Sequence, residues 1–341
     1  MRNLISAIFL FSFFVVEAQS VITRSNVPFA DLVISDKLVV WSEYVKDNYE
    51  ISVYNGDKIE QVTNNSSSDK MPAVSGSNYS WVNKDNGTYS VVYQGKGRLK
   101  TIFETKDEIV ELKMDSAYVA WITQSGSMFS IHFFNGKTQK EVSSSSTKKT
   151  DLTMSKEVLV WRERKASSYE IMMFEKNEIK QLTQNTNDEY EPCVSGNKII
   201  WRGISSSNRP EIFLYQNGTI KEVTSSSTSE YEPQISGDII VWRAHDGSDY
   251  EIYMYDGKET KQLSDNTTFD AAPLITSTGK VVWRTFDGND YELFMYNGTS
   301  LVQLTDNDIN DVGACAAGNS LVWRVKEADG YEAIGFVKRM H

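Results

Sequence analysis

Histidine is nearly missing from this sequence: only His132, His245 and His341 occur in 341 residues. A zinc site gathers several nitrogen or sulfur ligands at one point, and a Ser-His-Asp triad needs a histidine between nucleophile and acid. Histidines this sparse and this far apart supply neither. Cysteine is scarcer still, with Cys193 and Cys315 alone. Positive charge is also short, 35 Lys and Arg against 46 Asp and Glu, which leaves a net charge of −11. Phosphate backbones and anionic lipid surfaces both require a basic patch, so a nucleic-acid partner is excluded and membrane-surface binding is disfavoured. The chain has no Gly-rich phosphate loop, no sialidase-type Asp box and no apolar run able to span a bilayer after its first residues.

The first residues are a targeting signal. Arg2 gives the positive start, Leu4 to Val16 are apolar and uncharged, and Val16-Glu17-Ala18 offers a small-residue cleavage site. This predicts a signal peptide over residues 1–18 and a mature chain over 19–341. That chain is expected to be secreted, periplasmic or on the cell surface, with no membrane insertion after cleavage.

Tryptophan carries the organisation. The eight tryptophans are Trp41, Trp81, Trp121, Trp161, Trp201, Trp242, Trp283 and Trp323, spaced by 40 or 41 residues throughout. Other positions keep the same period. A serine stands six residues before the tryptophan in six repeats, as at Ser35, Ser75, Ser155 and Ser195. An aromatic follows by eight residues in seven, as at Tyr49, Tyr169, Tyr250 and Tyr291. Asn-Gly or Asp-Gly turns come next, then a short strand ending in a hydroxyl residue, such as Gln61-Val62-Thr63 or Gln303-Leu304-Thr305. Each repeat reads as four short strands, a to d. In the sixth these are Pro233–Ser236, Asp238–Arg243, Tyr250–Tyr255 and Lys261–Ser264. Helical periodicity is lacking. Four strands per repeat of about 40 residues predict an all-β chain, a single eight-bladed β-propeller with four antiparallel strands per blade.

The ends predict how the ring closes. The eighth repeat stops before a strand d, while Val21-Ile22-Thr23 lies as far before Trp41 as Gln61-Val62-Thr63 lies before Trp81. The N-terminal strand should complete the last blade and remove two exposed sheet edges.

Tyr-Glu-Ile-Tyr-Met-Tyr-Asp-Gly (250–257), Lys-Gln-Leu-Ser (261–264) and Pro-Gln-Ile-Ser-Gly (233–237) followed by Val241-Trp242 resemble TolB-type propeller repeats of exported and cell-surface proteins. The resemblance covers nearly the whole mature chain and implies the propeller fold. It departs from TolB itself, which has six blades and an additional N-terminal α/β domain.

Several residues are candidates for chemistry. Arg follows the tryptophan in five repeats (Arg162, Arg202, Arg243, Arg284, Arg324), and the same repeats carry Glu170, Glu211, Glu251, Glu292 and Glu332. Their joint presence predicts cross-strand ion pairs within the b–c hairpin, each contributing roughly 0.2–1 kcal/mol. Cys193 and Cys315 fall three blades apart, beyond disulfide reach, and are expected to be free and buried. His132 is expected to be structural and His245 exposed.

The d–a and b–c connections share one face of the ring, and their later members are acidic. The candidate binding residues there are Glu189, Tyr190, Glu191, Glu230, Tyr231, Glu232, Asp270 and Asp311. No cofactor is expected except calcium, whose hard-oxygen preference fits Asp246-Gly247-Ser248-Asp249 and Asp287-Gly288-Asn289-Asp290. Asp-Gly is equally an ordinary turn signature. The pattern predicts an exported, non-catalytic scaffold for a protein or glycan partner. The alternative is a secreted hydrolase or lyase using carboxylates at the channel mouth, Glu189 with Glu230 or Glu232.

Overall fold

The structure, a computed structural model, describes residues 20–327, 330–338 and 340. The expected signal peptide lies outside the described residues. The described residues contain strands and turns and no helix, so none is long and apolar enough to cross a membrane. Their strands form eight four-stranded antiparallel sheets, the blades of a closed eight-bladed propeller. Blade 6 is typical, with strands at Glu230–Ser236, Ile239–His245, Tyr250–Tyr255 and Thr260–Gln262. Its strand a begins three residues earlier than the sequence predicts and takes in Glu230.

Strand b is apolar on both faces because it lies between neighbouring sheets. Trp161 is 0% exposed and packs on Ile122, Ile131 and Phe133 of the preceding blade. Burying such side chains stabilises the ring by about 1.5–3 kcal/mol each. Apolar clusters of this kind join every successive pair of blades. A further one unites Phe29, Leu32 and Trp41 of blade 1 with Val322, Ile334 and Phe336 of blade 8. That last cluster seals the ring.

Closure follows the predicted route. Ser20–Ser25 pairs antiparallel with strand c of blade 8, Glu332–Val337, with a bulge between Val21 and Thr23. Ile22 packs into the cluster that seals blade 8 to blade 1.

The other periodic residues are joints. Ser75 Oγ accepts the Ser116 N–H of the next blade at 2.8 Å, and Ser195 Oγ accepts the Gly237 N–H at 3.0 Å. The hydroxyl after strand d extends its ladder by one rung. Thr63 Oγ1 accepts the Ile51 N–H and Thr305 Oγ1 the Leu293 N–H, both at 2.8 Å.

The predicted Arg–Glu cross-strand pairs do not form. Glu163, not Arg162, lies opposite Glu170, and Arg162 lies opposite Ile171. Side chains alternate between faces along a strand, so this one-residue offset puts Arg162 and Glu170 on opposite faces. The arginines instead meet strand a of their own blades: Arg162 pairs with Asp151 at 2.6 Å, Arg202 with Glu191 at 3.0 Å and Arg243 with Glu232 at 3.3 Å.

The residue of strand c opposite the tryptophan varies, from Ser52, Val92 and Met172 in blades 1, 2 and 4 to Gly335 in blade 8. Residues opposite it elsewhere include Phe213, Tyr253 and Phe294, whose rings stack on the indole. Blade 8 has Gly335, where an added Cβ would come within 2.3 Å of the Trp323 ring. Gly335→Ala is expected to destabilise the protein by about 1–3 kcal/mol through overpacking. Chemical denaturation reads the change, and an unchanged midpoint would contradict this packing.

Candidate ligand-binding face

The acids that end the d–a loops are interior groups. Glu189, Glu230, Asp270 and Asp311 are 3%, 2%, 0% and 0% exposed. They recur twelve or thirteen residues before the tryptophan and work on two sides. Inward, Asp69 and Asp311 accept the indole N–H of Trp81 and Trp323 at 2.7 and 2.6 Å. Outward, they accept an asparagine amide four residues upstream, Asn65 to Asp69 at 2.9 Å and Asn185 to Glu189 at 2.6 Å. That asparagine's own N–H is accepted by the strand-c glutamate, as Asn266 N–H is by Glu251 at 2.8 Å. The acid, asparagine and glutamate thus clamp the four loops that end in Asp69, Glu189, Asp270 and Asp311; before Glu230 the asparagine's place is taken by Ser226, whose N–H Glu211 accepts at 3.0 Å. The indole N–H has no partner in blades 1 and 3, where the acid is replaced by Phe29 or Ile109, nor in blade 7, where Asp270 Oδ1 accepts the Thr285 hydroxyl instead. The twelve-residue spacing to tryptophan was the available signal for this role, and reading the acids as loop charges missed it.

Burial pushes the carboxyls of Glu189 and Glu230 up to about 7. Each has one oxygen, Oε2, without a partner. Gly203 makes room for Glu189, since a Cβ there would meet Glu189 Oε2 at 2.2 Å.

Two residues further along strand a lies a second ring, around the channel. Glu191 Oε2 accepts the N–H of Glu232 at 3.1 Å, and Glu232 Oε2 accepts that of Ala272 at 2.8 Å. Glu111 accepts the N–H groups of Asp151 and Leu152 at 2.9 and 2.7 Å. Each carboxylate therefore bridges its blade to the next. Asp151, Glu191, Glu232 and Ala272 all sit at φ between 53° and 55°, where a local bulge turns the N–H toward the neighbour. Glu191 and Glu232 remain accessible, with 39% and 36% of their side chains exposed.

The arginines and tyrosines of blades 4 to 7 interleave above this ring. Arg162 lies over Tyr169 at 4.5 Å and Tyr190 at 4.9 Å. Arg202 lies over Tyr190 at 4.3 Å and Tyr231 at 5.2 Å. Arg243 lies over Tyr250 at 4.6 Å, and Arg284 over Tyr291 at 4.7 Å. Cation–π contact of this kind is favourable. Blade 7 breaks the pattern at one point. Its strand-a position is Ala272, not an acid, so Arg284 has no carboxylate partner among the described residues. Arg284, Ala272, Gly313 and Ala314 line a cavity of about 170 Å³. A larger one, about 530 Å³, lies in the channel beside blades 8, 1, 2 and 3, lined by Asp31, Glu111, Lys113, Cys315 and Arg324 among others.

The b–c loops of blades 6 and 7 gather carboxylates. Asp246, Asp249 and Glu251 place oxygens within 4.8 Å of one another, as do Asp287, Asp290 and Glu292. The sequence had singled out the four aspartates; the register of strand c adds the two glutamates.

Cys193 and Cys315 are free. Each thiol donates to a carbonyl of the neighbouring blade, Pro233 O and Leu32 O, at 3.2 Å. Burial pushes the Cys193 thiol up to about 12, which removes it as a nucleophile near neutral pH. His132 is 6% exposed, stacked on Trp121 at 5.4 Å, and burial lowers its pKa. His245 is half-buried rather than exposed, its Nδ1 accepting the Gly247 N–H at 2.9 Å.

Among known proteins, no protein-family model and no curated sequence matches this chain. Solved structures do. The β-propeller domain of the Trilobed protease from Pyrococcus furiosus aligns with a TM-score of 0.57 at 15% identity, over 83% of this chain and 97% of that one. That domain is described as having an open velcro topology, whereas the ring here is closed by strand pairing. Acylaminoacyl peptidase from Pyrococcus horikoshii gives 0.54 at 13% identity, over 87% of this chain and 57% of the peptidase. This chain thus spans little more than half of that enzyme. TolB from Acinetobacter baumannii gives 0.43 at 13% identity, over 89% of this chain and 80% of TolB. At these identities the likeness is one of fold.

Proposed function

We infer that this chain is an exported binding scaffold without catalytic activity, and that it takes a protein or glycan partner bearing a carboxylate. The single observation behind this reading is Arg284. Its counterparts Arg162, Arg202 and Arg243 each hold a carboxylate of their own strand a. Arg284 faces Ala272 and a cavity instead, and a ligand carboxylate suits the vacant acid position by charge and size. Tyr291 stacks on Arg284, and Tyr190 and Tyr231 lie further round the same face, held between arginines of neighbouring blades; amphipathic aromatic groups of this kind suit a sugar ring or a peptide side chain. Glu191 and Glu232 are the accessible acids of this surface, while Glu189, Glu230, Asp270 and Asp311 serve it by clamping its loops. Export rests on residues 1–18.

The alternative is a carboxylate-dependent secreted hydrolase or lyase acting at the channel mouth, and the raised pKa values of Glu189 and Glu230 favour it. Both groups are almost wholly buried, and the same acid recurs in most blades, which argues for a structural duty. The test is an array of uronic-acid, sialylated and neutral glycans together with acidic peptides, read against wild type, Arg284→Gln and Arg202→Gln. Binding to carboxylate-bearing probes should fall at least tenfold in Arg284→Gln. Equal binding by Arg284→Gln and wild type, or turnover lost in Glu189→Gln, would refute the reading.

A further inference from the structure

The seventh residue after the tryptophan varies from blade to blade and is an acid in blades 6 and 7 alone. In blade 1 it is Asn48, whose amide donates to the Asn65 and Ser67 carbonyls of the d–a loop, both at 2.7 Å. In blade 4 it is Ser168, whose single hydroxyl proton is within reach of Glu170 at 2.7 Å and of the Asn185 carbonyl at 3.0 Å. A hydrogen-bond donor at this place joins the b–c hairpin to the loop. Blades 6 and 7 put Asp249 and Asp290 there, which when ionised only accept.

The consequence is visible at the oxygens. Asp290 is 3% exposed, and its Oδ2 has no partner. Both carboxylate oxygens of Asp249 are buried without a partner. They point into clusters that already hold Glu251 and Asp246, or Glu292 and Asp287. Buried acceptors without donors are destabilising, and three carboxylates this close repel one another. A cation replaces the missing donor and neutralises the cluster.

We propose that blades 6 and 7 each bind one calcium ion, through Asp246, Asp249 and Glu251 and through Asp287, Asp290 and Glu292. The ligand chemistry selects the metal. Every donor is a carboxylate oxygen, with neither imidazole nor thiolate, which suits a hard cation and not zinc or copper. Three carboxylates leave coordination positions open. Asn266 and Thr268, which stand where Asn65 and Ser67 stand in blade 1, carry the loop carbonyls best placed by register to fill them. Calcium accepts six to eight oxygens in irregular geometry, while magnesium demands a compact octahedron and keeps its waters. Bound calcium would tie hairpin to loop in blades 6 and 7 as Asn48 does in blade 1. It would also brace the loops that present Tyr250 and Tyr291. The proposal is independent of the partner and is measured without one.

The experiment uses the mature chain, stripped with a chelator and titrated with calcium chloride by calorimetry and thermal melting. Two ions should bind per chain, and the melting temperature should rise by a few degrees at saturation, roughly as expected for ligand at a hundred times Kd. Asp249→Asn and Asp290→Asn should each reduce the count from two to one, and the double variant should bind none. In chelator both variants should melt no lower than wild type, since each relieves like-charge crowding; this separates a lost site from a damaged fold. No heat and no shift at millimolar calcium would overturn the proposal, leaving shared protons as the clusters' occupants. Undiminished binding by the double variant would overturn it equally.

Discussion

Deleting residues 1–25 should abolish the single cooperative unfolding transition or lower its midpoint by an amount on the order of 10 °C. The deletion does more than remove six strand residues. It strips strand c of blade 8 of its pairing along Glu332–Val337 and leaves a row of unpaired N–H and C=O groups. It removes Ile22 from the cluster that joins Trp41 to Val322 and Phe336. It also breaks the ion pair between Arg24 and Glu327. Blade 8 would then hold the ring through its apolar faces alone, and its bare edge would template association. Calorimetry and light scattering read both effects. A permuted chain carrying residues 19–26 after residue 341, through a short Gly-Ser linker, should recover most of the lost stability because the strand can pair from either end. A deletion that melts like wild type would mean that the closing strand contributes nothing to the ring.

Stability should fall as pH rises from about 4.5 to about 7, and Glu189 and Glu230 should account for much of the loss. In the folded chain both carboxyls are pushed up to about 7, from an ordinary value of about 4.5. Burial is the main cause. Glu170 beside Glu189 and Glu211 beside Glu230 add to it, while Arg162 and the Asn185 amide partly offset it at Glu189. Between the two pKa values the folded state holds protons that the unfolded state has released. These groups therefore stabilise the fold fully below about 4.5, and that contribution is lost as pH passes through about 7. A shift of this size corresponds to roughly 3 kcal/mol per group. Glu189→Gln and Glu230→Gln keep the shape and cannot ionise. Each should shrink the stability difference between pH 5 and pH 8, and the double variant should be more stable than wild type at pH 8. Denaturation midpoints across that range check this; variant profiles running parallel to wild type would place the pH dependence elsewhere.

Much of the architecture was legible because it repeats. A residue with the same duty in every blade leaves a period, and tryptophan did so without exception. The serine before it and the hydroxyl after strand d did so nearly as well, and each proved to be a joint between blades or strands. The loop acids repeat too, but their meaning was misread. Glu189 and Asp311 look like surface charge when seen among Asn, Ser and Thr. Only their distance from the tryptophan marks them as buried partners of the core. The arginine and glutamate of the b–c hairpin also co-occur, and the expected pairing failed on register: one residue of offset placed them on opposite faces.

The sequence alone determined the number of blades, the order of strands within each and the way the ring closes. These depend on local alternation and on a count, and both survive in one dimension. Tertiary structure decided what each charge is for. Whether a carboxylate meets an indole, a neighbouring blade's N–H or a guanidinium depends on contacts between segments some 10 to 40 residues apart, and whether it meets other carboxylates depends on how a hairpin folds them together. Asp249, Asp290 and Arg284 stand out only there, because an unmet partner is a property of the surroundings and not of the residue.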